Sequence, residues 1–144
     1  MKDKYFTPFP EDIRIGYECE VLEDFRKRND SEKYGYEEIW LPRTVKSYTL
    51  QDTLDELSRG SVRVPYLTKN QIRNQGWEYN AEEPYKIYKY DNYMRDGWKF
   101  NYSPEYKALI LTSYNFKELS YSPCFRGQCK DINDFRTICK FLGI

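Results

Sequence analysis

Residues 85–102 read Tyr85-Lys86-Ile87-Tyr88-Lys89-Tyr90-Asp91-Asn92-Tyr93-Met94-Arg95-Asp96-Gly97-Trp98-Lys99-Phe100-Asn101-Tyr102, and this stretch decides the fold. Asp-Gly between two aromatic runs is the signal of a two-residue hairpin loop, because a type I′ turn needs positive φ at both central residues and its twist matches the flanking strands. Folding the chain back at that point sets the register. Arg95 then faces Trp98, Tyr93 faces Phe100 and Asp91 faces Tyr102 on one side. Asn92, Met94, Lys99 and Asn101 share the other side, since side chains alternate along a strand.

Outward from the hairpin, Ser103-Pro104 reads as a second turn into Lys107–Tyr114 (KALILTSY). This is the most apolar strand and the expected sheet centre. Residues 120–129 (SYSPCFRGQC) supply a last strand interrupted at Pro123. Towards the N-terminus, Ile13, Ile15, Tyr17, Cys19 and Val21 alternate with polar residues, which predicts a strand with one buried face. Residues 24–36 are charged and read as a loop or long hairpin connection. Glu37–Ser47 reads as a strand that Pro42 either confines to a sheet edge or breaks in two, and Val62–Tyr66 as a short strand ending at Pro65.

Three short helices carry matched start and stop signals. Thr49 and Gly60 bound the first, with Leu50, Leu54 and Leu57 on one side. Thr68 and Gln71 form a capping box on the second, Leu67 staples onto Ile72, and Gly76 stops it so that Trp77 folds back. Asp131 and Gly143 bound the third, with Ile132, Phe135, Ile138, Cys139 and Leu142 on one face. None is long enough to stand alone, so each must dock on strands. The expected architecture is α+β: a mainly antiparallel curled sheet or small open barrel of about seven strands with three short helices. An extended arm spans 1–10, broken by Pro8 and Pro10, and a single domain spans 11–144.

Composition narrows the chemistry. The 144 residues include no histidine, 15 tyrosines, 8 phenylalanines and 3 tryptophans. Without histidine there is no Ser/His or Cys/His catalysis and no His-based metal site. Lys plus Arg and Asp plus Glu are 23 each, so no net charge points to nucleic acid or to a solvating tail. A mean hydropathy of −0.91 resembles a disordered chain, but tyrosine scores as polar while packing as an aromatic. At this length about 68–70% of the unfolded surface can be buried, enough for a core without staples. No apolar run approaches the roughly 20 residues of a membrane span. The N-terminus has no apolar leader core, so the expected location is the cytoplasm. Cys19, Cys124, Cys129 and Cys139 lack CxxC spacing and read as reduced thiols.

Three stretches, IRIGYECEV, VRVPYLTKNQIRNQGW and CKDINDFRTICKFLGI, are similar in kind and order to small uncharacterised proteins of phages and prophages of Bacteroides-type gut bacteria. Those begin with an I-R-I-G strand, carry a P-x-L-T helix entry ending in Gly-aromatic, and finish on a short amphipathic helix. The charged segment 24–36 and the tyrosine excess depart from that pattern. The resemblance implies a phage-type product working inside an infected bacterial cell. It carries no activity and no functional residue.

The candidate binding residues are Tyr88, Tyr90, Tyr93, Arg95, Trp98, Lys99, Phe100 and Tyr102. Aromatics interleaved with lysine and arginine on a sheet suit base stacking, or an interface anchored by tyrosine and arginine. The same pattern also serves cross-strand pairing inside a core. The expectation is therefore a non-catalytic binding protein without cofactor or metal. It would hold a host protein or a small anionic, nucleotide-like ligand, in counter-defence or host takeover. Single-stranded nucleic-acid binding by the same hairpin is the alternative. A metal-dependent enzyme using Glu18 and Glu20 on one strand face is a weaker one, since alternation alone puts carboxylates there. An exposed sheet edge leaves room for a homodimer. Arg63 and Arg126 read as surface ion-pair partners.

Overall fold

A computed structural model describes residues 4–27, 36–80, 91–115 and 117–144. The chain divides into two compact units, Met1–Tyr66 and Leu67–Ile144. The architecture is α+β and mainly antiparallel, but the strands form two sheets, of four and five strands, rather than one sheet of seven. Neither sheet closes into a barrel among the described residues.

The first unit contains β1 (Tyr5–Phe6), β2 (Glu18–Lys27), β3 (Tyr36–Thr44), α1 (Leu50–Ser58) and β4 (Val62–Pro65), with sheet order β1-β4-β2-β3. Part of the N-terminal arm is therefore a strand: Tyr5 pairs with Pro65 and Phe6 with Val64. Ile13, Tyr17, Cys19, Val21, Val45, Leu57, Val62 and Val64 form the core, with Leu50 and Leu54 of α1 packed against it.

The alternation from Ile13 holds only in part. Tyr17, Cys19 and Val21 are buried, but Ile15 is 63% exposed. The strand starts later than expected because Gly16 at φ +90° turns the chain, with the Tyr17 N–H donating to the Arg14 carbonyl at 2.9 Å. The charged stretch is also partly strand. Asp24–Lys27 pairs with Tyr36–Ile39, so the connection shortens to residues 28–35, which lie outside the described residues. Pro42 sits on β3, an edge strand, as its missing N–H requires.

The second unit contains α2 (Lys69–Asn74), β5 (Glu78–Asn80), β6 (Asp91–Arg95), β7 (Trp98–Ser103), β8 (Ala108–Asn115), β9 (Ser120–Gln128) and α3 (Ile132–Leu142). Its sheet runs in chain order, β5-β6-β7-β8-β9, which puts β7 rather than β8 in the middle. The hairpin has the register read from the sequence: Arg95 opposite Trp98, Tyr93 opposite Phe100, Asp91 opposite Tyr102. Asp96 at φ 47° and Gly97 at φ 80° make the turn. The Thr68–Gln71 capping box is present, with each side chain meeting the other residue's N–H at 3.2 and 3.0 Å. Asp131 accepts the Asp134 N–H at 2.8 Å, and Gly143 closes α3 at φ 73°. Thr49 differs: its hydroxyl accepts the Lys46 N–H rather than capping α1.

One sheet face and the helices enclose the core. Trp77, Tyr93, Phe100, Tyr102, Leu109, Leu111, Ile132 and Phe135 are buried together with Leu67 and Ile72. Phe100 is the hub. Its ring centroid lies 5.1 Å from Phe135, 5.4 Å from Tyr93, 5.7 Å from Trp77 and 6.0 Å from Tyr102.

Candidate functional site

Burial separates the eight candidate residues. Tyr93, Phe100 and Tyr102 are buried, so rings read as ligand-facing are core. The cause is parity: they share the sheet face whose apolar partners on β8, Leu109 and Leu111, are buried against α3. Burial also pushes the Tyr93 and Tyr102 hydroxyls well above the ordinary phenol range. Trp98, on the same face nearer the turn, is half-buried and packs on that core. Arg95 is half-buried too. Its Nη1 donates to the Gln75 carbonyl at 3.0 Å and its guanidinium lies 5.8 Å from the Trp77 ring, so it ties β6 to the end of α2. Tyr88 and Tyr90 lie outside the described residues.

Of the six described candidates, Lys99 alone points from the face opposite the core, and it joins residues the sequence reading had not grouped with it. Its ammonium lies 5.7 Å from the Tyr121 ring, and Tyr121 packs on Tyr114 with centroids 5.0 Å apart. Tyr121 is 47% exposed. Thr112 lies opposite Lys99, and Arg126 is exposed further along β9 opposite Ile110. Together they form a partly aromatic, cationic patch on the outer face of the five-stranded sheet. Its signal in the sequence is the alternation within β8 and β9, readable only once their register is known.

A concave feature lies between α2 and β5. This groove of about 920 Å³ is lined by Asn70, Arg73 and Asn74 from the helix, by Trp77 at its turn, and by Glu78 and Tyr79 from β5. Lys69 borders it, its ammonium 3.8 Å from the Tyr79 ring centroid. The sequence reading missed β5, because Glu-Tyr-Asn has no strand pattern of its own and is a strand through pairing with Asn92–Met94.

In the first unit the charged groups are tied into structure. Arg63 Nε donates to Glu20 Oε2 at 2.7 Å, and its guanidinium lies 3.7 Å from the Tyr5 ring centroid and 4.3 Å from that of Trp40. The ion-pair reading of Arg63 holds, and one member of the Glu18/Glu20 pair is engaged by it. Arg43 Nη1 donates to Glu56 Oε2 at 2.5 Å and to the Thr53 hydroxyl at 3.2 Å. Cys19, opposite Arg43 on the neighbouring strand, is buried, and burial pushes its thiol up to about 11. Cys129 and Cys139 are buried and pushed up likewise, whereas Cys124 is exposed. Among the described residues no three Cys, Asp or Glu side chains converge as a metal site. No helix among them is long and apolar enough to cross a membrane.

Compared with protein-family models, with curated proteins and with solved structures, the chain matches none.

Proposed function

We propose that this chain is a non-catalytic binding protein that acts by occupancy, a phage-type product that covers or sequesters a host component in the bacterial cytoplasm. One observation carries the reading. The five-stranded sheet is one-sided: one face is core, and the other offers Lys99, Tyr114 and Tyr121 as a half-exposed cluster. Tyrosine brings large area at low entropic cost, and a lysine beside it supplies charge for orientation. A host protein with an acidic or aromatic surface fits that patch.

The test compares wild-type protein with a Lys99→Glu/Tyr121→Ala double variant as baits in host lysate, with native mass spectrometry of what each retains. Species held by the wild type and lost from a variant of unchanged thermal midpoint support the reading. Identical captures, or none, overturn it. The same tyrosine pair with Lys99 and Arg126 favours one second reading, a stacking surface for single-stranded nucleic acid. That reading requires oligonucleotide affinity that falls as salt rises.

A further inference from the structure

We infer that the groove between α2 and β5 is a binding site for a small ring-bearing anion of the nucleoside monophosphate class, distinct from the outer sheet face. Its volume of about 920 Å³ lies in the range of roughly 300–1,000 Å³ typical of small-molecule sites. Size alone carries little; the lining carries the argument.

Trp77 is only 2% exposed, and its indole Nε1 has no hydrogen-bond partner among the described residues. A buried donor left unpaired costs about 1–3 kcal/mol, so such groups are normally satisfied. This one belongs to a residue that lines the groove, so a ligand held there alters the surroundings of the indole although Nε1 itself is enclosed.

The cations point the same way. Lys69 and Arg73 are four residues apart on α2 and so lie on one side of it. None of the ion pairs among the described residues engages either of them. Arg73 lines the groove, and Lys69 is held at its border over the Tyr79 ring. A guanidinium and an ammonium one helical turn apart suit a phosphate, which Arg can meet with two parallel hydrogen bonds.

The remaining walls fit a ring. Tyr79 is 38% exposed and braced by Tyr93, with centroids 5.5 Å apart, and a ligand ring stacks on it once the Lys69 ammonium swings from over the ring to the anion. Asn70 and Asn74, again four apart, offer amide donors and acceptors that match the edge of a base. Glu78 adds one acceptor-only group, which suits a ligand carrying an amino or hydroxyl donor and disfavours a bare phosphate. One group of each kind around one groove describes a ligand with a ring, a polar edge and an anion.

The test titrates the full chain with AMP, GMP, CMP and UMP, and separately with inorganic phosphate, while following the tryptophan indole N–H resonances by NMR. At least one mononucleotide should shift the Trp77 indole signal saturably, and Arg73→Ala should weaken that ligand by about tenfold as one charge-assisted contact is lost. Arg73 is exposed, so this variant should keep its fold. Phosphate alone should bind far more weakly. The inference is overturned if no mononucleotide moves the Trp77 signal at about 5 mM, a concentration that would reveal even millimolar affinity. It is overturned equally if Arg73→Ala binds as wild type. The Lys99→Glu/Tyr121→Ala variant should bind the mononucleotide normally, so loss of lysate capture with intact nucleotide binding condemns the sheet-face reading alone. Intact capture without nucleotide binding condemns the groove alone.

Discussion

Replacing Tyr102 by phenylalanine should make the protein more stable, a sign opposite to that of most core substitutions. Tyr102 is buried on β7, its ring nearly parallel to that of Phe100 at 11° and 6.0 Å. Its hydroxyl has no hydrogen-bond partner among the described residues. An unpaired buried hydroxyl costs about 1–3 kcal/mol, whereas the ring's packing survives in phenylalanine. Deleting one oxygen leaves a void that returns a few tenths of a kcal/mol at roughly 24 cal/mol per Å³. The net gain is therefore about 0.5–2 kcal/mol, to be read as a rise in urea midpoint at constant slope. A second signature follows from the phenol's titration. Burial raises it far above its ordinary value of 10.0. The unfolded phenol ionises first as pH rises, so wild type loses stability above pH 10 through a group the variant lacks. The gap between the two proteins should widen in alkali. A loss of more than about 1 kcal/mol at neutral pH would show that the hydroxyl is paired, and would refute the reasoning.

Four further outcomes are expected. Phe100→Ala should cost about 3–5 kcal/mol by urea denaturation, since four aromatic neighbours lose their hub, while Tyr121→Ala on the outer face should stay within about 0.5 kcal/mol; equal costs would erase the distinction between core and face. Asp131→Ala should cost about 1–2 kcal/mol by removing the cap of α3, and Asp131→Asn should recover most of it, because asparagine accepts the same Asp134 N–H; equal losses would mean that charge rather than capping matters there. Native protein should label rapidly at Cys124 alone, as mass spectrometry after brief alkylation would read. In the fold the Cys19 thiol stays protonated up to about 11 against 9.0 when unfolded, so stability should fall as pH rises between those values, by up to about 1.4 kcal/mol per pH unit per thiol.

The features that local chemistry dictates were legible. The Asp96-Gly97 turn fixed the hairpin register, because few residue pairs accept positive φ twice. Thr68, Gln71, Asp131 and Gly143 marked helix ends through bonds made within a few residues. Features that depend on a partner strand were not legible. Asp24–Lys27 and Glu78–Asn80 look like loop and become strand because a neighbour offers them a ladder. The division into two sheets belongs here too. The β4 ladder ends at Pro65, and the chain passes through Leu67 into α2 and a second core.

The burial of Tyr93, Phe100 and Tyr102 was hidden in the same way. Alternation states which side chains share a face, and it grouped Tyr93, Phe100 and Tyr102 correctly. It cannot state which face a helix will cover. That follows from where Phe135 and Ile132 of α3 dock, which is set by residues far along the chain. The outer patch shows how little separates the two outcomes. Between Leu111 and Thr112 the β8–β9 register slips: Leu111 faces Phe125 but Thr112 faces Pro123, which leaves Cys124 as an extra residue. Without that bulge Thr112 would face Cys124, and Tyr121 would fall opposite Asn115, on the core side. With it, Tyr121 faces Tyr114 and reaches Lys99. A one-residue slip moves every later side chain to the opposite face. The cluster that gives this sheet an accessible aromatic surface therefore exists because one cysteine is left out of the ladder, beside a proline that has no N–H to give it.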